Sequence, residues 1–530
     1  MNLFQLSSQR DSVVPARHRR CRAWSTVETA KTLLQISVLT LPFGFSRAVA
    51  QIPNEEGGHR RSQGIVERSP LPWREVGEGD LRVFSSGRRE VATRLEMIRR
   101  ATVSIDLVTY GQRFEEGVAL PLLSALRDAA NRGVKVRYLT NRFISFSADP
   151  TEQAMRYLCG EPTRVPIEML NFGSVTLDSV WSSTNFIHEK FLIVDGKWVL
   201  QSGRMPDERS AQWLDKDTLI KGPLVRDSKR VFNRIWRFAR SQFMPCESGG
   251  GSRRNFWRSE PRNLEVSELL ALTESERREV DSDLNWLTVE PESEGRIVSE
   301  SQVASTPVAA NTLRVKLHHY DYLQQAWSQG FPDSIEDRLA RLNDPILEAL
   351  AQRIERPGTR QVLLSAMSLM LAPRLKQALI RAVRERGVEV ILFTNSETAN
   401  GTLAPWAINW VYALPDMIDL MASGARIFTL RANDEGDHPW HYLHQKLAII
   451  DDTVFFGSHN YNLPATLCND EATFEVRSNP FAQSMRSLFL SELTQAGDQV
   501  SLSDLRRQVS TGGVGFALRR WLAERGLLYF

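Results

Sequence analysis

Apolar and polar positions alternate with two different periods along this chain, and the change of period recurs. From 127 to 141 the sequence RDAANRGVKVRYLTN leaves a helical pattern at Gly133 and enters a strand of alternating apolar residues. From 381 to 395, RAVRERGVEVILFTN does the same through Gly387. In the first region, 90–100 reads as helix, 103–110 as strand, 119–132 as helix and 134–139 as strand. Strands alternating with helices predict an α/β fold, a mixed sheet flanked by helices. The two matching stretches stand 254 residues apart, a distance that means a duplicated domain rather than a short solenoid repeat.

The 530 residues are too many for one ordinary domain and enough for two with cores of their own. A Gly-Ser run at 247–252 and a Glu-, Asp- and Ser-rich stretch at 273–301 mark a boundary. The predicted division is a first domain at 68–246, a connector at 247–310 with a helix near 264–278, and a second domain at 311–530. Arg17, Arg19, Arg20 and Arg22 precede an apolar run at 33–45, and Ala48-Val49-Ala50 follows it. This layout predicts a signal peptide over 1–50, with an uncleaved anchor as the alternative, and an exported protein, periplasmic or secreted and compatible with membrane association. Residues 1–50 carry seven basic and two acidic side chains, so their removal takes the net charge from +3 to −2. Without a basic surplus, nucleic acid is not the favoured partner. Beyond the signal the cysteines are Cys159, Cys246 and Cys468; a Cys159–Cys246 disulfide and three thiols are both open, and no spacing is of the metal type. Trp406, Trp410 and Tyr412 read as one side of a buried helix, with a lipid-contacting lip as the sharper alternative. The run 516–530 reads as an amphipathic helix against the second domain.

The chemistry enters with FIHEKFLIVDGKWVLQSGRM, 186–205, and HYLHQKLAIIDDTVFFGSHN, 441–460. His188, Lys190 and Asp195 have counterparts 256 residues on in His444, Lys446 and Asp451. In a strand, positions i and i+2 share a face, so each His-Lys pair points one way. Asp195 and Asp451 enter tight turns and read as structural residues. The returning strands bring Ser202 and Gly203, or Ser458 and Asn460, beside the pairs, as candidate binders of phosphoryl oxygens. Two facing His-Lys surfaces form a phosphodiester site in which one imidazole attacks phosphorus, the other protonates the leaving alkoxide, and two lysines neutralise the oxygens, so the reaction needs no metal or cofactor. A zinc site at His438, His441 and His444 is the competing idea, but a strand does not place all three on one face. His318 and His319 read as surface or core histidines.

These two motifs resemble the phospholipase D superfamily, whose signature is H-x-K-x4-D followed by G-S-x-N, twice per site. Gly457-Ser458-His459-Asn460 fits the second element, one residue earlier than usual. The chain looks most like bacterial cardiolipin synthases, on Ser202-Gly203-Arg204-Met205-Pro206-Asp207-Glu208, on Asp215 and Asp217 before Gly222-Pro223, and on Asn469-Asp470-Glu471. The resemblance implies two α/β/α sandwich domains related by a pseudo-twofold axis. It implies a phosphohistidine intermediate, His188 as nucleophile, His444 as general acid, and Asp215 and Glu471 as carboxylates that orient the imidazoles. It implies a phospholipid substrate at a membrane surface; one chain supplies both motifs, so a monomer suffices. Met205 stands where that family has asparagine, and a thioether cannot donate to phosphate. The alternatives are a secreted nuclease using the same site and a catalytically weakened phospholipid- or phosphate-binding protein.

Overall fold

The computed structural model describes residues 70–511 apart from 112–116, 142–149, 173–185, 243–245, 248–270, 293, 307, 330–342, 398–403, 434–435 and 437. The expected signal peptide at 1–50 and the helix at 516–530 lie outside the described residues. Among the described residues no helix is long and apolar enough to cross a membrane.

Two sheets repeat one strand order. In the first half it runs Glu168–Phe172, Lys135–Asn141, Ser104–Val108, Phe191–Val194, Trp198–Ser202, Asp217–Lys221, Leu81–Phe84. In the second it runs Arg426–Leu430, Glu389–Asn395, Gln361–Ser365, Leu447–Ile450, Thr453–Gly457, Asn469–Arg477, Thr312–Tyr320. In each, the first three strands pair in parallel and the rest antiparallel. The parallel strands are largely apolar because helices cover both faces; in the first sheet buried Asp106 is paired with Arg137 at 2.7 Å. Helix Ala119–Arg132 buries Leu122, Leu123, Leu126 and Ala129 and stops on Gly133 at φ +106°; helix Pro373–Arg386 buries Leu375, Ala378, Leu379 and Ala382 and stops on Gly387 at φ +65°. The duplicated α/β architecture expected from the sequence is therefore the observed one.

The division between halves differs from a simple cut. Strand Trp73–Gly77 lies in the second sheet, between Thr312–Tyr320 and the short strand Arg296–Val298. The predicted connector is also folded from 271 on, while 248–270 lie outside the described residues. Thr273 and Glu276 form a capping box at the start of helix Glu274–Thr288, whose Val280, Leu284 and Leu287 enter the first half's core. Its acidic face is not merely solvated, since buried Asp283 accepts two 2.7 Å hydrogen bonds from Arg89. The composition of 273–301 suggested flexibility, but the apolar stripe at 280, 284 and 287 is helical. The helix overlaps the one expected near 264–278, of which 264–270 lie outside the described residues.

Trp410 and Tyr412 lie buried on helix Ala404–Ser423, and the Trp410 indole donates to Gln508 at 3.1 Å. Cys159 is disulfide-bonded; strand Cys246–Glu247 runs antiparallel to Glu168–Phe172, and the Cys246 side chain lies outside the described residues.

Candidate active site

Each His-x-Lys motif is held across the boundary by backbone. Strand Phe186–Ile187 pairs in parallel with Asn469–Asp470 of the other half, and Tyr442–Leu443 pairs with Trp213–Leu214. The next residue continues each contact: His188 N–H donates to the Asp470 carbonyl at 3.0 Å and His444 N–H to the Leu214 carbonyl at 2.8 Å. Two asparagines complete the clamp. Asn141 donates to the carbonyls of Ile187 and Tyr110 and accepts from Ile187 N–H, at 2.6–2.9 Å. Asn395 does the same with Leu443 and Met367, at 2.7–2.9 Å. They end the two stretches in which the repeat was first visible, yet the sequence reading passed over them; their matching place in the duplication was the signal.

The turns are built alike. Asp195 and Asp451 adopt φ of +55° and +48°. The Asp195 carboxylate accepts from the backbone of Thr102, Val103 and Ser104, and Asp451 from that of Arg360 and Gln361. Each aspartate ties its hairpin to the start of a parallel strand, away from the imidazoles.

The carboxylates cross over. Glu471, from the second half, meets Nδ1 of His188 at 2.8 Å, and Asp215, from the first, meets Nδ1 of His444 at 2.8 Å. His188 is 5 % exposed and His444 6 %, which leaves only a narrow opening to each ring. Burial pulls His188 down to about 4, against the pull of Glu471. Burial also lowers His444 to about 3, with Lys446 acting in the same direction. Burial and mutual repulsion lower Lys190 to about 7; burial lowers Lys446 to about 8, opposed by Asp215 and Glu471. Asp215 is held below the usual carboxylate range: burial opposes this, but Lys446 and His444 outweigh it. Glu471 is likewise lowered, by His188 against its burial.

Rings set the imidazole planes. Tyr110 meets His188 edge-on at 4.7 Å and lies under the Lys190 ammonium; Trp213 lies 4.6 Å from His444. Neither aromatic was singled out from the sequence, because nothing in a lone Tyr or Trp marks it as a neighbour of a distant histidine.

Three of the expected phosphoryl binders turn out to be occupied otherwise. The Ser458 hydroxyl donates to Glu471 and receives Ala472 N–H at 2.9 Å; the Ser202 hydroxyl donates to Asp217 at 2.7 Å and receives Arg204 N–H at 2.9 Å. A buried carboxylate takes the nearest hydroxyl, so these serines position acids. Gly203 leaves room: a Cβ there would overlap the Asp215 carboxylate. Asn460 differs, since its buried Oδ1 has no hydrogen-bond partner among the described residues. Met205 packs against Trp213, Met367 and Tyr442, an apolar setting that suits a thioether where an amide would be left unpaired. The competing zinc idea does not assemble. His438 Nε2 lies 3.1 Å from the Arg431 carbonyl while His444 is committed to Asp215. His318 meets Glu475 at 2.8 Å in the core.

A family model described as "Cardiolipin synthase, PLD-like domain" matches residues 95–236 and 350–493, one match on each side of the crossed pairs. The chain belongs to this phospholipase D-like family. Cardiolipin synthase C of Escherichia coli K12 is 23 % identical over 454 residues, which is 82 % of this chain and 89 % of that protein. The crystal structure of phosphatidylserine synthase from Haemophilus influenzae Rd KW20 superposes with a TM-score of 0.56 over 86 % of this chain and 95 % of that one, at 13 % identity. At that identity the second likeness concerns the fold.

Proposed function

We propose that the protein is a phospholipid phosphodiesterase or phosphatidyltransferase working through a phosphohistidine. The observation that carries this reading is the crossed pair of imidazole–carboxylate contacts, His188–Glu471 and His444–Asp215. It gives one cleft two oriented imidazoles, one on each side of a phosphorus atom.

The two imidazoles are not equivalent. Nδ1 of His188 lies between the Glu471 carboxylate and the Ser458 carbonyl, both acceptors, so it carries the ring proton and Nε2 keeps its lone pair. That lone pair attacks phosphorus. The bond to the leaving alkoxide breaks, and the alkoxide takes a proton from Nε2 of His444. At His444 the ionised Asp215 carboxylate accepts from Nδ1–H at 2.8 Å and supports the imidazolium from which the Nε2 proton leaves. In the second step water or an alcohol gives its proton to His444, attacks the phosphohistidine and releases His188. Lys190, Lys446 and Asn460 hold the non-bridging oxygens.

The likeness to a cardiolipin synthase supports a phosphatidyl group as the substrate, and the net charge of −2 beyond residue 50 supports lipid over nucleic acid. With 1–50 as a signal peptide the reaction takes place after export, at a membrane surface. Met205 in its apolar cluster favours one competing reading, a site that holds phosphate without turnover. The test is conversion of phosphatidylglycerol vesicles, with single-stranded DNA in parallel, by the protein and by His188→Ala and His444→Ala. Lipid conversion lost in both variants is expected. Cleavage of DNA alone moves the protein to nucleases. Vesicle binding without conversion, cured by Met205→Asn, identifies a weakened enzyme; binding that stays inert in Met205→Asn leaves a phosphate-binding protein.

A further inference from the structure

Behind the first catalytic strand lies a cluster that the phosphoryl chemistry does not use. Side chains alternate along a strand, so Glu189 points away from the face that carries His188 and Lys190. It is fully buried, and neither carboxylate oxygen has a hydrogen-bond partner among the described residues. Nε2 of His319 is likewise without a hydrogen-bond partner and lies 3.3 Å from Glu189 Oε1. Asp470, on the strand that carries Glu471, is 3 % exposed and closes the group. One ligand atom from each of the three lies within 4.8 Å of the others. Asp321 adds a further negative charge, felt at both His319 and Asp470.

The duplication supplies a control inside the molecule. Matching the motifs sets Gln445 opposite Glu189 and Leu214 opposite Asp470. The second half therefore builds the same strand pairing with a neutral amide and an aliphatic side chain. Asp470 Oδ1 accepts from the Leu323 N–H at 2.6 Å, so that acid also serves the backbone; Glu189 has no such partner among the described residues, and a buried carboxylate without one is unfavourable. What the acids and the imidazole share is the capacity to ligate a cation.

We propose that Glu189, His319 and Asp470 hold one divalent metal ion behind the first His-x-Lys strand. An imidazole with two carboxylates suits Zn²⁺ or Mn²⁺ better than the all-oxygen preference of Ca²⁺ or Mg²⁺. Ligation through Nε2 places the ring proton on Nδ1, so the Arg234 guanidinium, now 3.4 Å from Nδ1, turns aside; a contact that long is weak. The ion ties the Thr312–Tyr320 and Asn469–Arg477 strands of the second half to the first motif. It fixes the backbone of His188 and Glu471 without entering the cleft.

The experiment is metal analysis of full-length protein purified without chelator, joined to thermal melting after refolding with Zn²⁺, with Mn²⁺ or with EDTA. About one ion per chain and a higher melting temperature with metal are expected. Glu189→Gln and His319→Gln are expected to lose the ion at least tenfold and to melt where the EDTA-refolded protein melts. Two results overturn the proposal: wild-type protein without metal whose melting ignores both ions, or a Glu189→Gln variant that melts higher, as relief of an uncompensated buried acid would produce. Neither readout involves turnover, so the outcome is independent of the phosphoryl-transfer reading.

Discussion

At the scale of single residues, the site is an arrangement of buried charges that each need a partner from the other half. Replacing Glu471 by Gln keeps the shape but lets the His188 ring take either tautomer. Turnover is expected to fall about 10²- to 10⁴-fold, with little change in vesicle binding, measured as initial rate against lipid concentration. Asp215→Asn should act similarly through His444 in a rate assay, whereas Asp195→Ala, at a turn remote from the rings, should lower the melting temperature with a smaller effect on rate. Lys446 sets a pH limit. It is surrounded by Asp215, Asp217, Glu471, Arg204, Lys190 and His444, and burial lowers it to about 8. The ammonium is the charged form and exists below that value, so activity should fall at higher pH, by roughly tenfold per unit in kcat/KM. A Lys446→Arg variant that remains active should lose the part of this fall near 8, because guanidinium stays protonated, and keep the part near 7 that Lys190 sets.

At the scale of elements, position comes from the two asparagine clamps and the folded connector. Asn395→Ala leaves the Leu443 amide and two carbonyls without partners and should cost about 2–3 kcal/mol, read by denaturant unfolding. Leu284→Ala, in the helix Glu274–Thr288, should cost about 2–5 kcal/mol, a loss that no flexible linker would show. This helix shows where the sequence was harder to read. The helix–glycine–strand units at 127–141 and 381–395 were legible because two periods meet at a glycine with positive φ. The apolar stripe at 280, 284 and 287 was hidden in an acidic, serine-rich context, and composition outweighed period in the reading. In the site, the histidines and lysines were legible from repeated spacing, and the two orienting carboxylates from the resemblance to the phospholipase D superfamily. Ser202 and Ser458 were assigned to phosphate from residue type alone, which does not tell which acceptor a hydroxyl reaches first.

At the scale of the whole molecule, the halves are interlocked. Strand Trp73–Gly77 precedes the first half in sequence and pairs within the second sheet, and each imidazole takes its carboxylate from across the boundary. A fragment starting at 311 would expose the edge of strand Thr312–Tyr320, so it should associate or aggregate, seen by size-exclusion chromatography. Neither half alone should turn over substrate.

The central claim is that His188 becomes covalently phosphorylated while His444 acts as the acid. Rapid quenching of the full-length protein with phosphorus-labelled phosphatidylglycerol, followed by peptide mapping under alkaline conditions, tests it directly. The account predicts an acid-labile label on His188 in the unaltered protein, missing from His188→Ala. A label on His444, or full turnover with no labelled histidine in any variant, would contradict it.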